Sequence, residues 1–225
     1  MSDTLTLPQS LVLLALRDED GKFMGSWQKL VFAGAILSEL NLKGRLSLSG
    51  RKGNLATVID ASPTGSIALD DALNTIACAP RQRSLKSWVN KLGCRSHSQN
   101  LLLQELVEMG ALTKEKQKVL LVFNTTRWPE ANGYYEERLR SEMAQAMFTE
   151  GAHVSERIGT TINLANQAHL LKRNFDRDRL REHKKRIKSI TSQATFACPA
   201  TKAAIDAVQA AVVAAAAAST VVAAG

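Results

Sequence analysis

The chain has 225 residues, of which 45% are hydrophobic and 22% charged, a balance that excludes a disordered protein and supports one substantial core. Three scattered cysteines without C-x-x-C spacing exclude a disulfide framework and indicate reduced thiols. The formal net charge of +8 favours phosphate-bearing partners, either nucleic acid or an anionic lipid surface.

Two helices are predicted at the start of the chain. Thr6 and Gln9 have the spacing of a capping box, and the loop Asp18–Gly21 ends the helix that they begin. A second helix is expected over about Ser26–Asn41. Its middle, Leu30–Leu37, is apolar on every face, which predicts burial all round.

Short strands and further helices follow. The runs Arg45–Ser49 and Leu55–Asp60, joined by a loop with two glycines, predict a β-hairpin. The later predicted elements are helices at about Ile67–Cys78, Leu85–Leu92 and Ser98–Met109, a strand at Lys118–Asn124, helices at about Tyr134–Phe148, Ser155–Leu171 and Arg179–Ser192, and an alanine-rich helix at about 200–220. The sequence therefore predicts a mainly α, compact single domain over residues 1–225, with about seven to nine helices and two β-hairpins.

Most of the excess positive charge lies in Lys172–Lys188, which we name the cationic segment. It holds nine basic and three acidic residues, a net charge of +6 out of the chain's +8. Such a stretch attracts phosphate or forms a solvated helix face, and both interpretations stay open here. Lys184, Lys185 and Arg186 are its candidate basic surface.

Membrane-spanning and secretory patterns are missing from the sequence. No run reaches the roughly 20 strongly apolar residues that a span needs, and the closest, Ala207–Ala224, is mostly alanine. The N-terminus also lacks the basic and apolar regions of a secretory signal. We therefore expect a cytoplasmic protein whose contact with a membrane is peripheral.

Catalytic and metal-binding patterns are missing too. The four histidines share no ligand spacing with one another or with the cysteines, and no glycine-rich phosphate loop or nucleophile motif occurs. The adjacent Asp70 and Asp71 point in different directions on a helix, and Glu105 and Glu108 are expected to be exposed. The sequence thus predicts no enzyme, no cofactor and no metal site.

Three binding interpretations remain. The helix and strand over Asn100–Phe123 resemble the recognition helix and wing of winged-helix nucleic-acid-binding proteins, yet no Arg or Lys occurs between Asn100 and Leu112. The second interpretation is a lipid-surface protein that uses basic residues and exposed tryptophans. The third is a scaffold whose basic helix meets an acidic protein partner.

Several segments, followed by an alanine-rich end, occur in the order found in a known family. They are Leu5–Leu7, Leu11–Leu16, Glu39–Leu46, Ser62–Gly65, Leu69–Leu73, Leu106–Lys116, Arg138–Leu139 and Asn163–Ala165. The chain therefore resembles the Golgi phosphoprotein 3 family over nearly its whole length, and it looks like a bacterial-type member.

The resemblance implies a peripheral membrane protein that binds phosphatidylinositol 4-phosphate and acts as an adaptor of the membrane-trafficking type. Eukaryotic members link the cytosolic face of Golgi membranes to glycosyltransferase tails, coatomer and the cytoskeleton. The resemblance also implies a hairpin over about 113–133 that mediates homo-oligomer formation and faces the membrane. Arg127 and Trp128 are expected at its tip.

The family's headgroup site implies candidate residues in this chain. Trp27 matches the family's Trp approximately, whereas the Arg of the same helix is replaced by Ala33. Arg95 and His97 are the basic residues nearest to the family's two later Arg positions. Because one Arg and one His hold a dianionic phosphate weakly, we expect reduced headgroup selectivity and a contribution from the cationic segment.

Overall fold

The computed structural model describes residues 4–17, 20–24, 28–49, 55–94, 96–119, 123–192, 202–203 and 205–212. Its helices are α1 (Leu7–Ala15), α2 (Gln28–Leu42), α3 (Ile67–Ala77), α4 (Leu85–Gly93), α5 (Ser96–Glu108), α6 (Tyr134–Phe148), α7 (Glu156–Gln167), α8 (Leu171–Asn174), α9 (Arg177–Glu182), α10 (Lys184–Thr191) and α11 (205–212). Its strands are β1 (Leu46–Ser49), β2 (Leu55–Val58), β3 (Arg83–Ser84), β4 (Glu115–Val119) and β5 (Phe123–Arg127). The predicted mainly α class is confirmed. None of the described helices is both long and apolar enough to cross a membrane.

Helix α1 lies at the centre of the core. The predicted capping box is present. The backbone N–H of Gln9 donates to Thr6 Oγ1 at 3.4 Å, and the backbone N–H of Thr6 donates to Gln9 Oε1 at 2.9 Å. Every residue from Leu7 to Ala15 is buried, and α1 packs against α2, α5, α6 and α7. The helices of the C-terminal third are thereby fixed relative to the N-terminal ones.

Helix α2 is the second buried helix, as its apolar middle predicts, and residues 31–40 are all buried. A Cβ atom at Gly34 would overlap the side chain of Val208 in α11. The missing side chain therefore lets α11 approach the backbone of α2. Residues 202–203 and 205–212 confirm part of the predicted alanine-rich helix, and the rest of 200–220 lies outside the described residues.

Two buried carboxylates connect distant parts of the core. Glu39 of α2 is 1% exposed, and its Oε2 accepts from the Leu7 amide at 3.0 Å and from Arg157 Nη1 at 2.6 Å. It therefore satisfies an amide in the first turn of α1 and joins α2 to α7.

The second buried carboxylate belongs to Glu105 of α5, which is 6% exposed. It accepts from Gln9 Nε2, Ser66 Oγ and the Ala68 amide, each at 2.8 Å. The prediction that Glu105 is exposed is wrong, because its partners come from α1 and the start of α3, which local spacing does not reveal. Glu108 is exposed, as predicted.

Two small antiparallel sheets complete the fold. In the first, β2 pairs with β1 and β3, which confirms the first predicted hairpin, and the connection at 50–54 lies outside the described residues. In the second, β4 pairs with β5, and Glu115 lies opposite Arg127. The single strand predicted over Lys118–Asn124 is therefore wrong, since Lys118 belongs to β4 and Asn124 to β5, and these strands are antiparallel. A continuous apolar run has no periodicity that marks such a reversal.

The helices of the C-terminal third are shorter than predicted. The helix expected over Ser155–Leu171 stops at Gln167, and His169, with a φ of +58°, separates α7 from α8. The helix expected over Arg179–Ser192 is divided at His183, which ends α9 and precedes α10. Neither break contains Gly or Pro, the residues that mark helix ends in a sequence. The cationic segment therefore folds into three short helices.

Candidate anion-binding surface

The three helices of the cationic segment border a groove of about 580 Å³, which we name the cationic groove. It is lined by Asn166, Leu171, Lys172, Arg177, Leu180, Arg181, Lys184 and Ile187. The three aliphatic side chains are buried or half-buried, whereas the four cationic residues are exposed. The groove thus combines an apolar floor with a cationic rim.

Most cations of this rim lack a carboxylate partner. Arg181 Nη2 lies 3.2 Å from Asp178 Oδ1, but the two side chains are 82% and 84% exposed. An ion pair at such exposure contributes about 0–1 kcal/mol. Within the described residues, no carboxylate forms an ion pair with Lys172, Arg177 or Lys184. Since the rim cations repel one another, an anion in the groove would lower the electrostatic energy.

Asn174 and Asp176 position the helices that carry the rim. Asn174 Nδ2 donates to the Leu14 carbonyl of α1 at 2.9 Å, and its Oδ1 accepts from Arg140 Nη2 at 3.2 Å. Asp176 Oδ1 accepts from two amides in the first turn of α9, at 3.1 and 2.9 Å, and so caps that helix. Lys172 therefore projects from a helix that is hydrogen-bonded to the core, and Arg177 projects from a helix whose first turn is capped.

The predicted basic surface of Lys184, Lys185 and Arg186 divides into two kinds of residue. Lys184 and Lys185 are exposed. Arg186 is half-buried, and its Nε and Nη2 donate to the carbonyls of Ala146 at 2.7 Å and Ala152 at 2.9 Å. The prediction for Arg186 is therefore corrected: its guanidinium holds α10 against the end of α6. Sequence cannot separate these roles, because the carbonyls belong to residues 40 and 34 positions away.

The predicted headgroup residues lie near the starts of α2 and α5. Trp27 and Arg95 are outside the described residues. His97 is exposed, and its Nε2 lies 3.4 Å from Asp71 Oδ1. The structure therefore places a carboxylate beside His97, where it would compete with a phosphate for the ring nitrogen.

One further basic residue lies at this corner of the molecule. Lys29 Nζ, from the first turn of α2, donates to Ser96 Oγ at the start of α5, at 2.9 Å. The two helix starts are therefore adjacent, and Lys29 and His97 both belong to this corner. No local signal in the sequence marks Lys29, because its proximity to Ser96 depends on packing between residues 67 positions apart.

Arg127 and Trp128 lie at the base of the second hairpin. Arg127 is opposite Glu115 at the end of the ladder furthest from the reversal. Trp128 is half-buried against the core, its amide donates to the Gly21 carbonyl at 3.3 Å, and Lys114 Nζ lies 5.3 Å from its ring centroid. The predicted position of both residues at the tip is therefore wrong, because Arg127 pairs with Glu115 at one end of the ladder, whereas Val119 and Phe123, which are closest in sequence, pair at the other.

The amino-acid sequence of the chain matches a known family over most of its length. A family model described as Golgi phosphoprotein 3 (GPP34) matches residues 7–211. The chain belongs to the Golgi phosphoprotein 3 family. The matched range begins with α1 and ends inside α11, so it includes the whole cationic segment.

The exposed face of α5 argues against the nucleic-acid interpretation. A helix followed by a hairpin is present, as a winged-helix protein requires. However, α5 exposes Gln104 and Glu108, which are joined by a hydrogen bond of 2.9 Å, so this part of the helix would repel a phosphate backbone. Neither the fold nor the family supports this interpretation.

Proposed function

We propose that this member of the Golgi phosphoprotein 3 family is a peripheral membrane protein that binds anionic phospholipid. The observation that carries the proposal is the rim of the cationic groove, where Lys172, Arg177 and Lys184 are exposed and have no carboxylate partner among the described residues. The protein acts as a non-catalytic adaptor at the cytoplasmic face of a membrane. Phosphatidylinositol 4-phosphate is the lipid that the family resemblance implies.

The charge of the groove is sufficient for reversible membrane binding. Each Lys or Arg near an anionic surface contributes about 1 kcal/mol. Three rim cations and the neighbouring Lys185 together supply about 4 kcal/mol, which corresponds to a dissociation constant of about 1 mM. Because the interaction is screened within about 10 Å at 0.1 M salt, binding decreases steeply as salt is added.

The corner between α2 and α5 forms a second, weaker lipid contact in this proposal. It uses the candidate headgroup residues Trp27, Arg95 and His97, together with Lys29. Because Asp71 lies close to His97, the corner contributes little selectivity among headgroups.

The hairpin at 113–133 serves self-association in the same proposal, with Arg127 and Trp128 at its base. The cation–π contact of Lys114 with the Trp128 ring supports a stable platform at that base. Replacing Arg127 by Glu opposite Glu115 places like charges across the strands and is expected to weaken the homo-oligomer. Analytical ultracentrifugation measures the change, and an unchanged oligomer contradicts this part of the proposal.

Flotation with vesicles tests the lipid proposal. The wild-type chain is expected to float with phosphatidylserine-containing vesicles at low salt and not with phosphatidylcholine vesicles. The double variant Lys184→Glu, Lys185→Glu should bind at least about thirtyfold more weakly, because two favourable charges become repulsive. The matched control is Lys43→Glu, Lys86→Glu, which makes the same charge change at exposed lysines outside the cationic segment.

The outcomes separate the parts of the proposal. Failure of the wild-type chain to bind anionic vesicles at low salt contradicts lipid binding altogether. If the two double variants lose the same vesicle affinity, lipid binding is not located at the cationic segment, and only the net charge of the protein matters. Exchanging part of the phosphatidylserine for phosphatidylinositol 4-phosphate at constant surface charge should raise the affinity by less than about threefold, since Ala33 replaces the Arg of the family's headgroup site and Asp71 lies beside His97.

A further inference from the structure

The cationic groove has the size and the construction of a ligand site. Its volume of about 580 Å³ falls within the range of small-ligand pockets, roughly 300–1,000 Å³. Lys172 comes from α8, Arg177 from α9 and Lys184 from α10, so three separate elements direct cations at one space. Asn174 anchors α8 to the core, Asp176 caps the first turn of α9, and Arg186 holds α10 against α6, so part of the order that binding needs is present in the free protein.

The lining requires two kinds of chemistry in one ligand. The rim cations suit phosphate oxygens, with which Arg and Lys form charge-assisted hydrogen bonds. The floor formed by Leu171, Leu180 and Ile187 is stabilised only by apolar groups that remove it from water. Inorganic phosphate, or a peptide of acidic residues alone such as hexaglutamate, has no apolar group that could cover these three side chains. A phospholipid carries a phosphate and acyl chains on one glycerol unit and satisfies both parts.

We propose that the cationic groove binds one anionic phospholipid molecule, with the phosphate among Lys172, Arg177 and Lys184 and the upper acyl chains against the apolar floor. The inference rests on the proposed function and deepens it, because a single-molecule site is distinct from diffuse attraction to a charged bilayer. Arg181 joins the phosphate ligands when the lipid replaces Asp178 as its partner.

A soluble short-chain lipid tests the site without a bilayer. The full chain is titrated with dihexanoyl phosphatidic acid below its micelle concentration, and binding is followed by calorimetry and NMR shifts. The other arms are dihexanoyl phosphatidylcholine, inorganic phosphate and a hexaglutamate peptide. Saturable binding of the phosphatidic acid is expected, at least about tenfold tighter than that of phosphate, because only the lipid covers the floor.

Matched variants locate the binding. Lys172→Gln, Lys184→Gln should raise the dissociation constant for dihexanoyl phosphatidic acid at least about tenfold, since two charge-assisted contacts are lost. The control Lys43→Gln, Lys86→Gln removes the same charge from exposed lysines outside the cationic segment. It should change this dissociation constant less than about twofold. Leu180→Ser should weaken the lipid several-fold and leave phosphate binding unchanged, and thermal unfolding checks that each variant is folded.

The result that overturns this inference differs from the one that overturns the proposed function. If anionic vesicles bind and the short-chain lipid does not, the single-lipid site is wrong and the proposed function stands. Phosphate that binds as tightly as the lipid, or hexaglutamate that binds while the lipid does not, also overturns the site. If neither vesicles nor the soluble lipid bind, both proposals are wrong.

Discussion

The core and the cationic groove use charge in opposite ways. Glu39 and Glu105 are buried, and hydrogen-bond donors from other segments surround each carboxylate. Lys172 and Lys184 in the groove are exposed and have no carboxylate partner among the described residues. A buried charge without partners costs several kcal/mol, whereas water solvates an exposed one. Charges in the core are therefore committed to the fold, and charges in the groove are available for a ligand.

The largest effect should come from Glu105, and the other glutamate of α5, Glu108, is its matched control. Glu105→Ala is expected to lower the free energy of unfolding by about 3 kcal/mol, because it leaves the Ala68 amide and the Gln9 side chain without their acceptor. Glu108→Ala, three residues away on the same helix, should change it by less than about 0.5 kcal/mol. Urea unfolding measures both. If both variants lost similar amounts of unfolding free energy, the proposed difference between buried and exposed carboxylates would be contradicted.

An intermediate effect is expected inside the cationic segment. Arg186→Ala should destabilise the protein by about 1–2 kcal/mol, since two backbone carbonyls lose their donor. Lys185→Ala should leave stability within about 0.5 kcal/mol and weaken binding to anionic vesicles about fivefold. Thermal unfolding and flotation, measured on both variants, sharpen the division between structural and ligand-facing cations. A loss of stability confined to Lys185→Ala would contradict it.

The smallest effect concerns the ion pair at the groove. Asp178→Asn should change the free energy of unfolding by less than about 1 kcal/mol, because the pair with Arg181 is exposed. It releases Arg181 and is expected to raise the affinity for anionic vesicles about fivefold. The control Glu182→Gln adds the same charge on α9 without touching Arg181. If both variants gained the same affinity for anionic vesicles, the gain would come from net charge and not from the release of Arg181 at the groove.

Local signals in the sequence were reliable where neighbours in the chain decide the structure. The capping box of Thr6 and Gln9 needs only residues three apart, and the apolar middle of α2 implies burial without knowledge of its partners. The breaks at His169 and His183 escaped prediction because neither residue is a typical helix terminator. The separate helices place Leu171 and Ile190 in the core, and such tertiary contacts are not visible in local sequence.

The candidate site was predictable in composition and not in shape. Counting charges identified Lys172–Lys188, but it could not show that Arg186 turns inward or that Lys172 and Lys184 border one groove. The same limit applies to the hairpin, where the ladder places Arg127 at the base.

Composition and local periodicity by themselves determined that this chain is mainly helical, that α2 is buried and that positive charge is concentrated near the C-terminus. Only the tertiary structure decided which charges are partnered and which surround the cationic groove. The physical reason is sequence distance: the bond from Asn174 to the Leu14 carbonyl spans 160 residues, and that from Gln9 to Glu105 spans 96. Contacts over such distances exist only after the helices have packed.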